Sequence, residues 1–213
     1  ARFTSFTDND LIFVYAGNND LFAQFEIFAA TATQILIDEG AGNITADEAQ
    51  VALFNGQTVA QTAMKTAALE LAGYVRDQIL AKGGKYVAVM TLSDIADTPF
   101  GHSTQVTPVR QVLTDLSRIF NLWLTEGLTG QPVRLIDTYA FFKDVYNNPG
   151  LHGLVNVTDP ACSVAAISAI TGGAVPTGSS LFCNSTTGAP YNGLTSGASV
   201  DTWEFADCVH PTT

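Results

Sequence analysis

Positive charge is scarce in this chain. Of 213 residues, nine are Lys or Arg against 20 Asp or Glu, a formal net charge of −11. Such an acidic surface repels phosphate backbones, which argues against nucleic-acid binding as the main activity. Long hydrophobic runs are missing too. The longest nearly unbroken apolar stretches, Leu11–Ala16 and Tyr86–Met90, are strand-sized, far short of the roughly 20 residues that span a bilayer as a helix. No basic segment followed by an apolar one opens the chain, and it starts at Ala1 rather than Met. Ala1 is therefore expected to be a processed or excised end. Cysteine is limited to Cys162, Cys183 and Cys208, too few for a disulfide scaffold and without the paired spacing of a zinc site.

What is present suffices for a core. Hydrophobic residues make up 46% of the chain and charged ones only 14%, which excludes wholesale disorder and fits one domain or part of a larger one. Leu11–Tyr15 is continuously apolar, rich in β-branched and aromatic types, and reads as a strand buried on both faces. The turn Gly17-Asn18-Asn19-Asp20 ends it, and a helix is expected from Leu21 to about Ile37. Thr45-Ala46-Asp47-Glu48 is a capping box. It opens a long helix whose apolar stripe is Met64, Ala68, Leu71, Val75 and Ile79, stopped at Lys82-Gly83-Gly84. Lys85–Leu92 reads as a second buried strand, followed by a polar loop, Ser93–Gln105. A helix capped at Thr107-Pro108 then buries Val109, Leu113, Leu116, Phe120 and Trp123, with a third strand at Val133–Thr138 and a short helix at Tyr139–Tyr146. Between about residues 147 and 201 Gly, Ser, Thr, Asn and Pro dominate, the composition of a long irregular region.

Strand, helix, strand, helix, strand is the grammar of a parallel sheet. Chemistry in such sheets sits at the carboxyl ends of the strands, which directs attention to Gly17–Asp20, Ser93–Gln105, Thr138–Phe142 and the C-terminal segment. Near the C-terminus Asp207 precedes His210 by three residues. A carboxylate so placed can bond one ring nitrogen, fix the tautomer and leave the other nitrogen to take a proton from a nucleophile; the bland alternative is a solvated turn. At the other end, Asn19 directly after a buried strand can aim two amide donors at a developing oxyanion. The bland alternative there is that Asn19 or Asp20 merely caps the next helix. Cys162 and Cys183 lie in the Gly/Ser/Thr-rich region. With four Lys and many Thr, Gly and Ala, an export-like composition, they are expected to be bridged, leaving Cys208 free. Reduced, buried thiols are the alternative. His102 and His152 lack the company that a metal site requires.

Together these stretches resemble the SGNH (GDSL) family of esterases and lipases. Gly17-x-Asn19-Asp20 is similar to the family's third block and Asp207-x-x-His210-Pro211-Thr212 to its fifth. The strand and loop Lys85–Pro99 and the pattern Pro160-Ala161-Cys162 … Ser180-Leu181-Phe182-Cys183 look most like secreted and autotransporter-type bacterial members. The resemblance runs from Asp10 to Thr213. It implies a three-layer α/β/α sandwich around a central parallel sheet, and hydrolysis of carboxylic esters by a Ser nucleophile with no metal or other cofactor. His210 would be the general base, Asp207 its orienting acid, Asn19 the oxyanion side chain, and Gly17 and Asn18 part of the oxyanion loop. The carboxyl-end rule for parallel sheets further predicts that Asp207 and His210 face the Gly17–Asp20 turn.

The family's Gly-Asp-Ser-Leu nucleophile block has no counterpart here. Only nine residues precede Asp10, and Gly-Asp-Ser occurs nowhere in the chain. Residues 1–213 are thus expected to be the C-terminal part of one catalytic domain, without its first strands. The expected partners are an ester or lipid substrate and an N-terminal segment bearing the Ser. The resemblance places the protein outside the cell or on the bacterial surface and leaves room for a membrane anchor beyond the C-terminus. Gly101-His102-Ser103-Thr104-Gln105 is a poor match to a Gly-x-Ser-x-Gly elbow, since Gln105 replaces the second Gly and the preceding strand ends near Leu92. The reading from another class is a non-catalytic structural or binding fragment that retains family motifs.

Overall fold

The computed structural model describes residues 5–103, 107–175, 179–186 and 192–212, without the side chains of Thr107 and Pro108. Those two side chains, proposed above as a cap, and Thr104, Gln105 and Thr213 lie outside the described residues. The protein is mixed α/β, with parallel strands in two small sheets. It divides into two compact units, one of residues 1–93 and 111–139, the other of residues 94–110 and 140–213.

The first unit is built on three parallel strands in the order β1-β2-β3: β1 Leu11–Val14, β2 Tyr86–Met90 and β3 Arg134–Ile136. Leu11 pairs with Tyr86 and Val14 with Val89, while Ala88 pairs with Arg134 and Met90 with Ile136. Helices α1 (Asn18–Gly40) and α2 (Ala46–Tyr74) connect β1 to β2, and α4 (Thr107–Gly127) leads to β3. Val87, Ala88 and Val89 are all buried; since successive side chains alternate faces, the central strand is covered on both.

β1 departs from expectation. At the edge of the sheet among the described residues, it leaves one face open to solvent at Leu11 (63% exposed) and Phe13 (60%), where burial on both faces is expected from sequence. A continuous apolar run signals two apolar faces without saying whether both are covered, and an edge strand has lateral support on one side only. The apolar side chain of Tyr86 on β2, paired with Leu11, extends the same open face.

The helices follow the sequence more closely. In α1 the buried positions Leu21, Phe25, Phe28 and Ala32 recur at helical spacing as one stripe. The capping box of α2 is formed: Thr45 Oγ1 accepts from Glu48 N (3.3 Å) and Glu48 Oε2 accepts from Thr45 N (2.8 Å). The buried stripe of α2 runs through Ala60, Met64, Ala68 and Ala72 to Val75, one position off the expected line at Leu71. Three of these five buried positions, Ala60, Ala68 and Ala72, are alanines. The helix widens into a π turn over Val75–Ile79, tightens into a 3₁₀ turn, and stops at Gly83 with φ +91°. On α4, Gln57 donates to Asp115 (2.8 Å), Arg76 to the Gly127 carbonyl (2.8 Å), and Lys65 Nζ sits 3.5 Å above the Trp123 ring. Trp123 thus makes a cation–π contact while Leu124 takes the core position expected of it.

The second unit holds more regular structure than its composition suggests. The region expected to be polar loop carries a 3₁₀ turn at Ile95–Asp97 and the short helix α3 (Pro99–Ser103). The Gly/Ser/Thr-rich region contains β4 (Asn156–Pro160), α6 (Val164–Ile170) and β5 (Trp203–Phe205), after α5 (Thr138–Asn147). β4 and β5 pair in parallel with an irregular register. Cys162 and Cys183 form a disulfide and Cys208 is free. Closing a loop of this length stabilises the folded state by roughly 3 kcal/mol on chain-entropy grounds.

Gly17 links strand to helix in a way no other residue can. Its φ is +120°, and a Cβ there would lie 2.5 Å from a Phe120 ring atom. Gly17→Ala is expected to cost roughly 2–4 kcal/mol, combining backbone strain and overpacking. Gly42→Ala, also at positive φ but facing open space, should cost about 1 kcal/mol. Denaturant unfolding of the two variants checks the difference, and equal losses would remove the Phe120 contact as the cause.

Candidate active site

Asp207 and His210 sit on a tight turn directly after β5. The turn is closed by Ala206 N donating to the His210 carbonyl (2.8 Å) and by Thr212 N donating to Glu204 O (2.8 Å), with Phe205 bridged to Pro211. The Asp207 side chain is 7% exposed and that of His210 69%. His210 Nδ1 lies 2.9 and 3.0 Å from the two Asp207 oxygens. Oδ1 also accepts the backbone N–H groups of Val209 (3.0 Å) and His210 (2.8 Å), and Oδ2 accepts that of Ser180 (2.8 Å). Burial alone would push this carboxyl up. The bonds from the Ser180 side chain and backbone and from the His210 and Val209 amides outweigh burial and hold it at about 2. An ionised carboxylate accepts only, so Nδ1 carries the ring proton and the neutral imidazole presents an unprotonated Nε2. That nitrogen has no bonded partner among the described residues. The arrangement is that of an oriented general base.

In the first unit, Gly17, Asn18 and Asn19 stand together where β1 passes into α1. Gly17, not Asn19 or Asp20, is the N-cap, and no side chain caps the helix. The capping alternative for Asn19 therefore fails: it lies inside the first helical turn, exposed, with its amide unbonded by any described residue. Asn18 donates Nδ2 to Tyr15 Oη (3.2 Å) while its Oδ1 is buried without a partner. The expected site residues thus fall into two groups, Gly17–Asn19 in one unit and Asp207–His210 in the other.

A second polar cluster escaped the sequence reading. Lys143 Nζ on α5 donates to Asp94 Oδ2 (2.7 Å) and Asp97 Oδ2 (2.6 Å). Asp94 is almost wholly buried and also caps the 3₁₀ turn through Ala96 N. Arg110 Nε donates to the Ala96 carbonyl (2.8 Å), and its Nη2 lies 3.3 Å from His102 Nε2, which is also 3.1 Å from Tyr146 Oη. Burial lowers Lys143, but its two carboxylate bonds win and hold it well above the usual lysine range. Burial raises Asp97 against the pull of Lys143. Burial and then Arg110 lower His102. The cluster locks the loop after β2 and leaves no free base there. Asp94 and Asp97 at i, i+3 were visible in the sequence; their cation, over 45 residues away, carried no local signal.

The alternative nucleophiles lack activation. Ser103 Oγ donates to the Phe100 carbonyl (2.7 Å), while the adjacent His102 is engaged by Arg110 and Tyr146. Burial, and next the Asp207 charge, push the Cys208 thiol above its ordinary range, the opposite of what a reactive thiolate requires. No group of three or more His, Cys, Asp or Glu side chains suited to a metal occurs among the described residues.

Glu204 on β5 is buried, with Oε2 unpartnered. Burial, reinforced by the Asp97 charge, raises its pKa to about 7. Its folded value exceeds the unfolded one, so its contribution is fully present below about pH 4.5 and is lost as pH rises to about 7. Glu204→Gln should stabilise the protein by roughly 2 kcal/mol at pH 8 and change little at pH 4.5. Thermal unfolding of both proteins at the two pH values measures this; an equal effect at both would exclude titration of Glu204 as the cause.

No helix among the described residues is long and apolar enough to cross a membrane, and the disulfide is compatible with an extracellular location. No family model matches the sequence, and no curated protein matches it either.

Proposed function

We propose that this chain is part of a carboxylic ester hydrolase of SGNH type, with a three-layer α/β/α catalytic domain whose Ser nucleophile is supplied by a part not in this chain. The observation that carries the reading is the Asp207–His210 pair: a buried, ionised carboxylate on Nδ1 and a solvent-facing imidazole. His210 Nε2 takes the proton of the Ser hydroxyl as its oxygen attacks the ester carbonyl carbon. The tetrahedral oxyanion is held by the Asn19 amide together with backbone donors from the Ser-bearing part. Collapse breaks the bond to the alcohol, which leaves with the proton from His210. Water, deprotonated by the same base, then releases the acid from the acyl-enzyme. Gly17 and Asn18 shape the oxyanion loop, no cofactor takes part, and the protein acts outside the cell or at its surface on an ester or lipid.

The test has two arms. A polypeptide including the Ser-bearing part should hydrolyse simple esters. His210→Ala should then lower kcat/KM by at least about 10³, and Asn19→Ala by about 10² to 10³, the latter mainly in kcat. Residues 1–213 alone should be no faster than their own His210→Ala variant, because a base without a nucleophile forms no acyl-enzyme. An inactive complete polypeptide would favour the non-catalytic fragment. Activity of the bare chain that needs His210 would direct the search for the nucleophile to this chain's own Ser103, Ser93 and Cys208.

A further inference from the structure

A closed ring of contacts runs around Asp207. The Ala206 carbonyl, one residue before it, accepts from Cys162 N (2.9 Å), as the Phe205 carbonyl does from Ala161 N (2.8 Å), which extends the β4–β5 pairing to the disulfide. The bridge leads from Cys162, buried at the end of β4, to Cys183. Cys183 N donates back to the Ser180 carbonyl (3.0 Å), closing the 3₁₀ turn Ser180–Phe182. Ser180 N in turn reaches Asp207 Oδ2 (2.8 Å), and the Ser180 hydroxyl adds to the pull that holds the carboxyl low. The ring thus returns to the residue beside which it started, through two main-chain pairings, one covalent bridge and one carboxylate.

We infer that Ser180, tethered by the Cys162–Cys183 bridge, is a positioning residue for the Asp207–His210 pair. The geometry of the pair then depends on that disulfide. The functional meaning of this inference rests on the hydrolase reading, whereas its physical content does not. Oδ1 is held by two amides of the Asp207 turn itself, so that oxygen is fixed locally. Oδ2 has no such local donor. Its protein bonds beyond the His210 ring come from Ser180, 27 residues away along the chain. A carboxylate fixed at one oxygen only can rotate about χ2, and the plane that it presents to Nδ1 is lost. Ser180 closes that freedom, and its own position is set by the covalent tie at Cys183. The turn carrying Ser180 is too short to be ordered by its own hydrogen bonds.

Two substitutions and one chemical treatment of the intact chain test this, read by pH titration of the Asp207 carboxyl carbon and the His210 ring nitrogens by NMR. In the oxidised wild type Asp207 should titrate near 2, and the neutral His210 ring should carry its proton on Nδ1. Ser180→Ala removes the side-chain donor and leaves the bridge; the Asp207 midpoint should rise by about half to one unit, a three- to tenfold gain in proton affinity. Ser180→Thr keeps the hydroxyl and should restore the wild-type midpoint, which a merely space-filling role would not. Reduction by a dithiol, which is itself oxidised as Cys162 and Cys183 each gain one electron and one proton, should raise the midpoint at least as far and mix the His210 tautomers. Should reduction unfold the second unit, the two Ser180 variants decide alone. An Asp207 midpoint indifferent to Ser180→Ala, in a chain whose amide spectrum is otherwise unchanged, would overturn the inference. The expected shifts in a protein whose Ser-bearing form hydrolyses no ester would uphold the positioning and sink the hydrolase reading instead.

Discussion

The second unit is organised by the need to keep one buried carboxylate ionised. Moving such a group out of water costs several kcal/mol unless hydrogen bonds replace its hydration. Asp207 receives those bonds from its own turn, from Ser180 and from His210. Each donor imposes a local structure. The amides of Val209 and His210 reach Oδ1 only if the chain folds back after Asp207, which brings Pro211 beside Phe205 and Thr212 beside Glu204. Ser180 reaches Oδ2 only if the segment before Cys183 is drawn in, and the disulfide does that. The pairing of β4 with β5, modest in length and irregular in register, is thereby locked at its end by contacts that are not strand pairing.

The first unit solves a different problem, the exit from an edge strand into a long helix. Gly17 does this by taking a backbone angle closed to other residues while lying against the Phe120 ring. The contact couples the start of α1 to the middle of α4, and α4 is already fixed to α2 by Gln57–Asp115 and Arg76–Gly127. Asn121 of α4 bonds both the N–H and the carbonyl of Leu92 just beyond β2 (2.7 and 2.8 Å). The carboxyl ends of both β1 and β2 are therefore indexed to the same helix. That is a rigid base for side chains such as Asn19 that project from the strand ends.

Signals within a few residues of each other were legible from sequence. The Thr45–Glu48 box, the stop at Gly83, the strand β2 and the Asp207–His210 pair are all patterns that the chain spells out locally. Where the outcome depended on a distant partner, local patterns carried less warning. The apolar character of Leu11 and Phe13 says what they tolerate, not whether anything covers them. β4 and β5 are separated by more than 40 residues, and Asn156, Asp159 and Pro160 of β4 have low strand propensity, so composition pointed to loop. The Lys143 cluster is the same case in polar form: the two aspartates are neighbours, but only the fold brings α5 to them. The Cys162–Cys183 bridge was legible for a compositional reason, since a Gly- and Ser-rich segment needs a covalent tie.

The electrostatics also divide the chemical labour. A nucleophile must be near a base and easy to deprotonate, and this chain separates those properties. Cys208 stands one residue from the Asp207 charge, which together with burial keeps its thiol protonated. The carboxylate that orients the His210 ring therefore makes its neighbouring thiol a worse proton donor. Ser103 adjoins a histidine, but one engaged by Arg110 and Tyr146, and its hydroxyl is committed to the Phe100 carbonyl. Among the described residues only His210 combines an oriented ring, an ionised carboxylate on Nδ1 and a solvent-exposed side chain. In the proposed hydrolase, the hydroxyl is presented to this ring from the solvent side. The exposure of the ring on an otherwise well-bonded turn is the physical ground for seeking that hydroxyl outside the turn itself.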